Sequence, residues 1–210
     1  MQVLLSKIGV EFSDAKQDRS QKTLQDLVEA ATKLVEQGDP DKFTARSLAD
    51  TAGYALGTVV RRLSQVENVF LWVIEAGRRK HLETLIEFML NCDPNYKVHY
   101  FCNDIVDLCM QGISQANPEV MKFFEARLLR RVKDSTDLLS HSTILVPALI
   151  DLSIRNQSQT FRELNDESAK FIVRTLASVI ERPFLEDDPI AGTANHREQA
   201  VDLMYRVLKA

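Results

Sequence analysis

From residue 24 onward the apolar side chains fall into runs of helical period, and glycines halt them. Leu24, Leu27, Val28, Ala31, Leu34 and Val35 recur at intervals of three and four, a single stripe on one helix. Gly38 ends that helix and Asp39-Pro40-Asp41 makes the turn. Thr44 then offers a side-chain oxygen to the free N–H groups of a new helix. Phe43 before this cap and Leu48 four positions after it are spaced for a hydrophobic staple. Gly53 stops the second helix early, and another short one, about Leu56 to Leu63, follows at once. Two short helices joined at a glycine and packed on a longer one form a helix-turn-helix.

The remaining chain extends the all-α reading. Only seven glycines and six prolines interrupt 210 residues, so long helices are expected. The spacing predicts a long helix over about Gln65 to Asn91, broken at Cys92-Asp93-Pro94-Asn95, and another over about Tyr96 to Gln115. Asn117-Pro118 opens a helical stretch from Glu119 to about Asn156, with a break near Asp134 to Ser142 and with Pro147 as a kink or a helix start. The last two helices run from about Asp166 to Glu181 and from about Thr193 to Lys209, joined by an acidic, solvated connection over Glu181 to Gly192. Three segments result: a flexible N-terminus over 1–18, a helix-turn-helix domain over 19–66, and a C-terminal helical domain over 67–210 entered by the long helix.

The last two helices are apolar on more than one side. A helix wet on one side needs one stripe, so a second stripe implies a second packing partner. Four such helices about a twofold axis make the simplest subunit interface, with Phe171, Ile172, Leu176, Val179, Val201, Met204 and Leu208 as its candidate residues.

Composition removes several function classes. A net charge of −4 argues against a protein that coats nucleic acid by bulk charge, yet leaves room for one basic face. Cys92, Cys102 and Cys109 form no CxxC pair, which suggests neither a disulfide framework nor a zinc site. Small buried thiols in a reducing cytosol are the simplest reading, and a redox sensor is the other. No stretch is apolar enough for a membrane span, and the first ten residues do not read as a signal peptide, so a soluble cytoplasmic protein is expected. P-loop, GxSxG, GxGxxG, HExxH and paired ExxH patterns are all missing, so neither catalysis nor a cofactor or metal is indicated.

Residues 20 to 70 resemble the TetR family of bacterial transcriptional repressors. The resemblance rests on Ala30-Ala31, Leu34 and Glu36-Gln37-Gly38 in the first helix, then Phe43-Thr44, Leu48-Ala49 and Ala52-Gly53 in the second. Gly57-Thr58 and Leu63 follow in the third, with Ser64-Gln65-Val66-Glu67 leading into the fourth. Beyond this quarter of the chain the likeness is one of helical layout, including the polar turn Thr160-Phe161-Arg162. It implies a homodimer that binds a palindromic double-stranded DNA operator and is released by a small-molecule effector. Residues implied at the DNA are Thr44, Arg46, Ala55, Leu56, Gly57, Thr58, Arg61 and Arg62.

Several positions depart from the family pattern. Members usually carry serine at Ala55, tyrosine at Val60, lysine at Val66 and a polar or basic residue at Leu56. Two usual phosphate contacts are therefore replaced, and Arg46, Arg61 and Arg62 are the cations left to serve. Leu56 and Val60 lie one turn apart, facing either thymine methyl groups or the core beside Val59 and Leu63. Gly57 marks either a close approach to DNA or a helix–helix contact. For the effector pocket the candidates are Phe88, Cys92, Phe101, Cys109, Phe124, Arg127 and His141, each of which also suits a plain core. An Arg or His inside an apolar bundle would favour an effector with an acidic or polar group. The alternative function is a helical dimer that keeps the fold as a ligand-binding or protein-interaction module and has lost sequence-specific DNA binding.

Overall fold

A computed structural model describes residues 18–63, 65–131 and 142–210. Among them are nine α-helices and no strand: α1 (Asp18–Glu36), α2 (Ala45–Ala52), α3 (Leu56–Arg62), α4 (Glu67–Asn91), α5 (Val98–Gln115), α6 (Pro118–Arg131), α7 (Val146–Arg155), α8 (Asp166–Leu185) and α9 (Ala194–Leu208). The fold is all-α, with 3-10 turns at Pro40–Lys42 and Ser142–Leu145. The chain divides into two compact units, and the division falls inside α4, after Arg78. The first unit holds α1, α2, α3, the opening of α4 and most of α6, and the second holds the other helices.

The first unit closes on the predicted stripe. Leu27, Ala30, Ala31 and Leu34 from α1 are buried with Leu48, Ala49, Val59 and Leu63. Val69, Phe70 and Val73 join the same core, which is why the unit runs into α4 beyond residue 66. The Phe43 ring stacks on Phe70 with centroids 4.7 Å apart and meets the edge of Phe123 of α6 at 5.1 Å. On α6, Arg127 pairs with Glu67, and its guanidinium lies over the Phe123 ring. Helix α1 starts at Asp18, several residues before the apolar stripe begins, since its first turn is polar.

In the second unit, α5 and α9 pack together, and α8 packs on α5, α7 and α9. The segment after α7 closes several helix ends. Lys97 gives α5 no side-chain cap, and the Val98 N–H instead donates to Thr160 Oγ1 at 2.9 Å. Arg155 Nη1 donates to the Cys92 carbonyl at 2.9 Å, and Nη2 reaches that of Met89, so two carbonyls freed at the end of α4 are satisfied. Phe161 and Lys209 form an isolated antiparallel bridge beside the end of α9. The polar turn Thr160-Phe161-Arg162 is thus a clasp made of backbone bonds, with the Arg162 N–H donating to Leu208 O and the Ala210 N–H to Thr160 O, both at 3.0 Å.

Two expectations change, and the alternative at Pro147 is settled. The connection over Glu181 to Gly192 is helical as far as Leu185, because Pro183 sits inside the last turn of α8 instead of ending it. Pro147 lies in the first turn of α7, where its missing N–H has no helical partner to lose, so it marks a start and makes no kink. Ile172, Leu176, Met204 and Leu208 are buried within the chain itself, so they cannot form a subunit face. The second stripe that suggested a partner chain is covered by α5, α7 and the neighbouring terminal helix. Of the candidate interface residues, Phe171 is 66% exposed, and Val179 and Val201 are half-buried.

Candidate functional site

Each end of α2 is fixed by its sequence. Thr44 Oγ1 accepts the Ser47 N–H at 3.1 Å, and Gly53 leaves the helix at φ +73°, a left-handed conformation suited to glycine. The Tyr54 hydroxyl donates to Asp26 Oδ2 at 2.6 Å and ties the turn to α1. That bond to a carboxylate raises the Tyr54 pKa above its ordinary value. Tyr54 carried no signal in the sequence, because its partner is 28 residues away. Ala55 precedes α3 and gives it no side-chain cap.

The short α3 helix settles how its apolar residues divide. Val59 and Leu63 are buried, whereas Leu56 is 41% and Val60 56% exposed. The 0, 3, 4, 7 spacing therefore splits between two sides, and Leu56 and Val60 are no part of this core. Ala55, Gly57, Arg61 and Arg62 are also exposed, as are Thr44 and Arg46 at the start of α2, and Thr58 is half-buried. A Cβ built on Gly57 would meet nothing within 4 Å, so a helix–helix contact does not account for this glycine. Arg46, Arg61 and Arg62 form no ion pair or hydrogen bond with any described residue. The exposed side of α2 and α3 thus carries three unengaged cations around small and apolar side chains. Such a surface can meet phosphates with its arginines and thymine methyl groups with its hydrocarbon. Leu56→Ala is accordingly expected to leave the melting temperature nearly unchanged, as exposed substitutions stay within about 0.5 kcal/mol. A circular-dichroism melt checks this, and a large drop would place Leu56 back in the core.

The effector candidates scatter. Phe101 and Cys109 line a largely apolar cavity of about 100 Å³ in the second unit. Phe88 and Cys92 line a separate open cleft with Tyr96, and Phe88 also stacks on Phe101 at 5.8 Å between centroids. Phe124 is buried in the first unit with the Arg78 guanidinium over its ring, and Arg127 there is held by Glu67 and Phe123. Neither belongs to the cavity, and His141 lies outside the described residues. Among the described residues, the ionisable side chains at the cavity are instead His81 and Glu181, beside the Cys109 thiol. Burial lowers the His81 pKa and pushes the Cys102 and Cys109 thiols up to about 12. Thiols so held stay protonated, the opposite of what a redox-sensing cysteine needs. Among the described residues no cluster of three or more His, Cys, Asp or Glu could hold a metal ion, and no helix is long and apolar enough to cross a membrane.

No protein-family model matches the chain, and no curated protein matches it in sequence. Solved structures do match its fold. A protein assigned to the TetR family of transcriptional regulators from Mesorhizobium loti superposes with a TM-score of 0.59 at 12% identity, covering 92% of this chain and all of its own. A TetR-family member from Streptomyces coelicolor gives 0.55 at 14% identity over 90% of this chain and 99% of its own. A TetR-family transcription regulator from Marinobacter aquaeolei gives 0.52 at 13% identity over 91% and 97%. The chain has the fold of the TetR-family transcriptional regulators.

Proposed function

We propose that this protein is a cytoplasmic transcriptional repressor that binds a palindromic operator as a homodimer and leaves it when a small molecule occupies the second unit. The observation that carries the reading is the exposed side of α2 and α3, where Arg46, Arg61 and Arg62 stand unengaged around Leu56, Gly57 and Val60. In a helix-turn-helix the second helix enters the major groove, and a glycine with open space around it permits close approach to base edges. A gel shift with the DNA upstream of its own gene tests the proposal. A retarded complex that competitor DNA of unrelated sequence does not displace is the expected result.

Homodimerisation is part of the reading. Phe171 offers a large exposed aromatic surface on α8, with Val179 two turns further along the same helix and Val201 on α9. Sedimentation is expected to give about twice the chain mass of 23.9 kDa. Phe171→Glu should shift the population toward monomer, since a charge would enter an apolar interface without a partner. A wild-type monomer at micromolar concentration would remove the dimer and, with it, the need for a palindrome.

Val60 and Val66 favour a second reading. Both are apolar where the resemblance implies side chains that contact phosphate. A protein that kept the fold but lost the operator would act as a ligand-binding or protein-interaction module. It would give no sequence-dependent gel shift at any salt concentration.

A further inference from the structure

The cavity in the second unit has a chemistry that narrows its ligand, and the inference rests on reading that unit as the sensing one. Leu85, Val106, Leu149, Ile180 and Met204 are part of its wall, and among the described residues no lysine or arginine lines it. An anion entering it would find no cation among the described residues and would face the Glu181 carboxyl group. A cation is also poorly served, because Glu181 already has a partner. His81 is different, as its imidazole makes no hydrogen bond with any described residue. It lies against Gly112 of α5, where even a methyl group would collide with the ring. The missing side chain is what makes room for an imidazole at this wall.

We propose that the cavity takes a small uncharged molecule, mostly hydrocarbon, whose single hydrogen-bonding group is held by His81. Burial keeps the imidazole below its ordinary pKa, so near pH 7 it is neutral and offers one N–H and one lone pair. Either an alcohol or a carbonyl can pair with it. The size fits the same class. A cavity of about 100 Å³ is on the scale of the roughly 150 Å³ space that accommodates benzene. One ring or a short chain fills it, and the apolar wall supplies most of the affinity.

Three probes of equal length separate the possibilities: hexan-1-ol, hexanoate and hexylammonium, each titrated at millimolar concentration against the full chain. A ligand that binds only the folded state raises the melting temperature in a saturable way. Hexanol is expected to raise it by a few degrees, and the two ions are not. Ala177→Phe fills the cavity and should abolish the hexanol shift. His81→Gln keeps a hydrogen-bonding group and should retain most of it, whereas His81→Leu should weaken binding about three- to tenfold. An ion that stabilises as well as hexanol overturns the inference. So does hexanol without effect on the wild type, a result that does not depend on whether any variant folds. Repeating the gel shift with hexanol addresses a separate matter. Binding without release of DNA would leave the ligand class standing and remove effector release from the proposed function.

Discussion

Replacing His196 by alanine is expected to destabilise the second unit by roughly 2–4 kcal/mol, as the half-buried Val179 carbonyl loses its donor and a cavity opens where the buried ring stood. The reason lies in the end of α8. In an α-helix the carbonyl of residue 179 would accept from the N–H of residue 183, but residue 183 is proline and has none to give. His196 of α9 supplies the missing donor, with Nε2 2.9 Å from the Val179 carbonyl. On its other side Nδ1 accepts the Gly192 N–H at 3.1 Å. A carbonyl can only accept and an N–H can only donate, so the ring is the neutral tautomer protonated at Nε2. His196 is 2% exposed, so its loss leaves the Val179 carbonyl without a donor, whereas water can reach the N–H of the exposed Gly192. One kcal/mol moves the melting temperature of a protein of this size by about 2–4 °C, so a drop on the order of 10 °C should appear in a thermal melt. His99→Ala, at an exposed imidazole, is the control and should melt like the wild type. A His196→Ala protein that melts with it would show that Val179 and Gly192 do not depend on this ring.

That pairing also illustrates what the sequence can and cannot convey. The helix-turn-helix was legible because each of its signals is local. The stripe from Leu24 to Val35, the cap at Thr44, and the stop at Gly53 all act within a few residues. The same locality made Pro183 misleading. Alone it reads as a helix breaker, and only a histidine thirteen positions later, presented by another helix, lets α8 run on to Leu185. The apolar faces of α8 and α9 misled in a similar way. Periodicity shows that Leu176 and Met204 are covered, but not whether a partner chain or the same chain covers them. His81 was missed because its significance depends on Gly112, and nothing in either residue's neighbourhood announces the other. The division of α3 between core and surface was open for a related reason. A helix of seven residues has too few turns for its apolar positions to define a single side.

The exposed arginines give the second large expectation. If the operator is held through α2 and α3, then removing Arg61 and Arg62 together takes four cations from a twofold complex. At roughly 1–3 kcal/mol for a good base contact, the double substitution is expected to weaken operator binding at least a hundredfold. The two side chains are adjacent and so point about 100° apart, and their single substitutions should differ. The one that meets phosphate should lower affinity for all sequences alike. The one that meets a guanine should cost more at the operator than at random DNA and relax the preference at that base pair. Arg46→Ala supplies the reference for a pure backbone contact. It should flatten the dependence of log affinity on log salt by about one unit per half-site. Leu56→Ala should lower affinity with the slope unchanged, because hydrocarbon meeting a thymine methyl releases no counterion. None of these substitutions disturbs the fold on this account, as Arg46, Leu56, Arg61 and Arg62 are all exposed. Titrations of a labelled operator at several salt concentrations read all of these differences in one series. If all of these variants bind the operator as the wild type does, α3 is not the reading helix, and the proposed function falls with it.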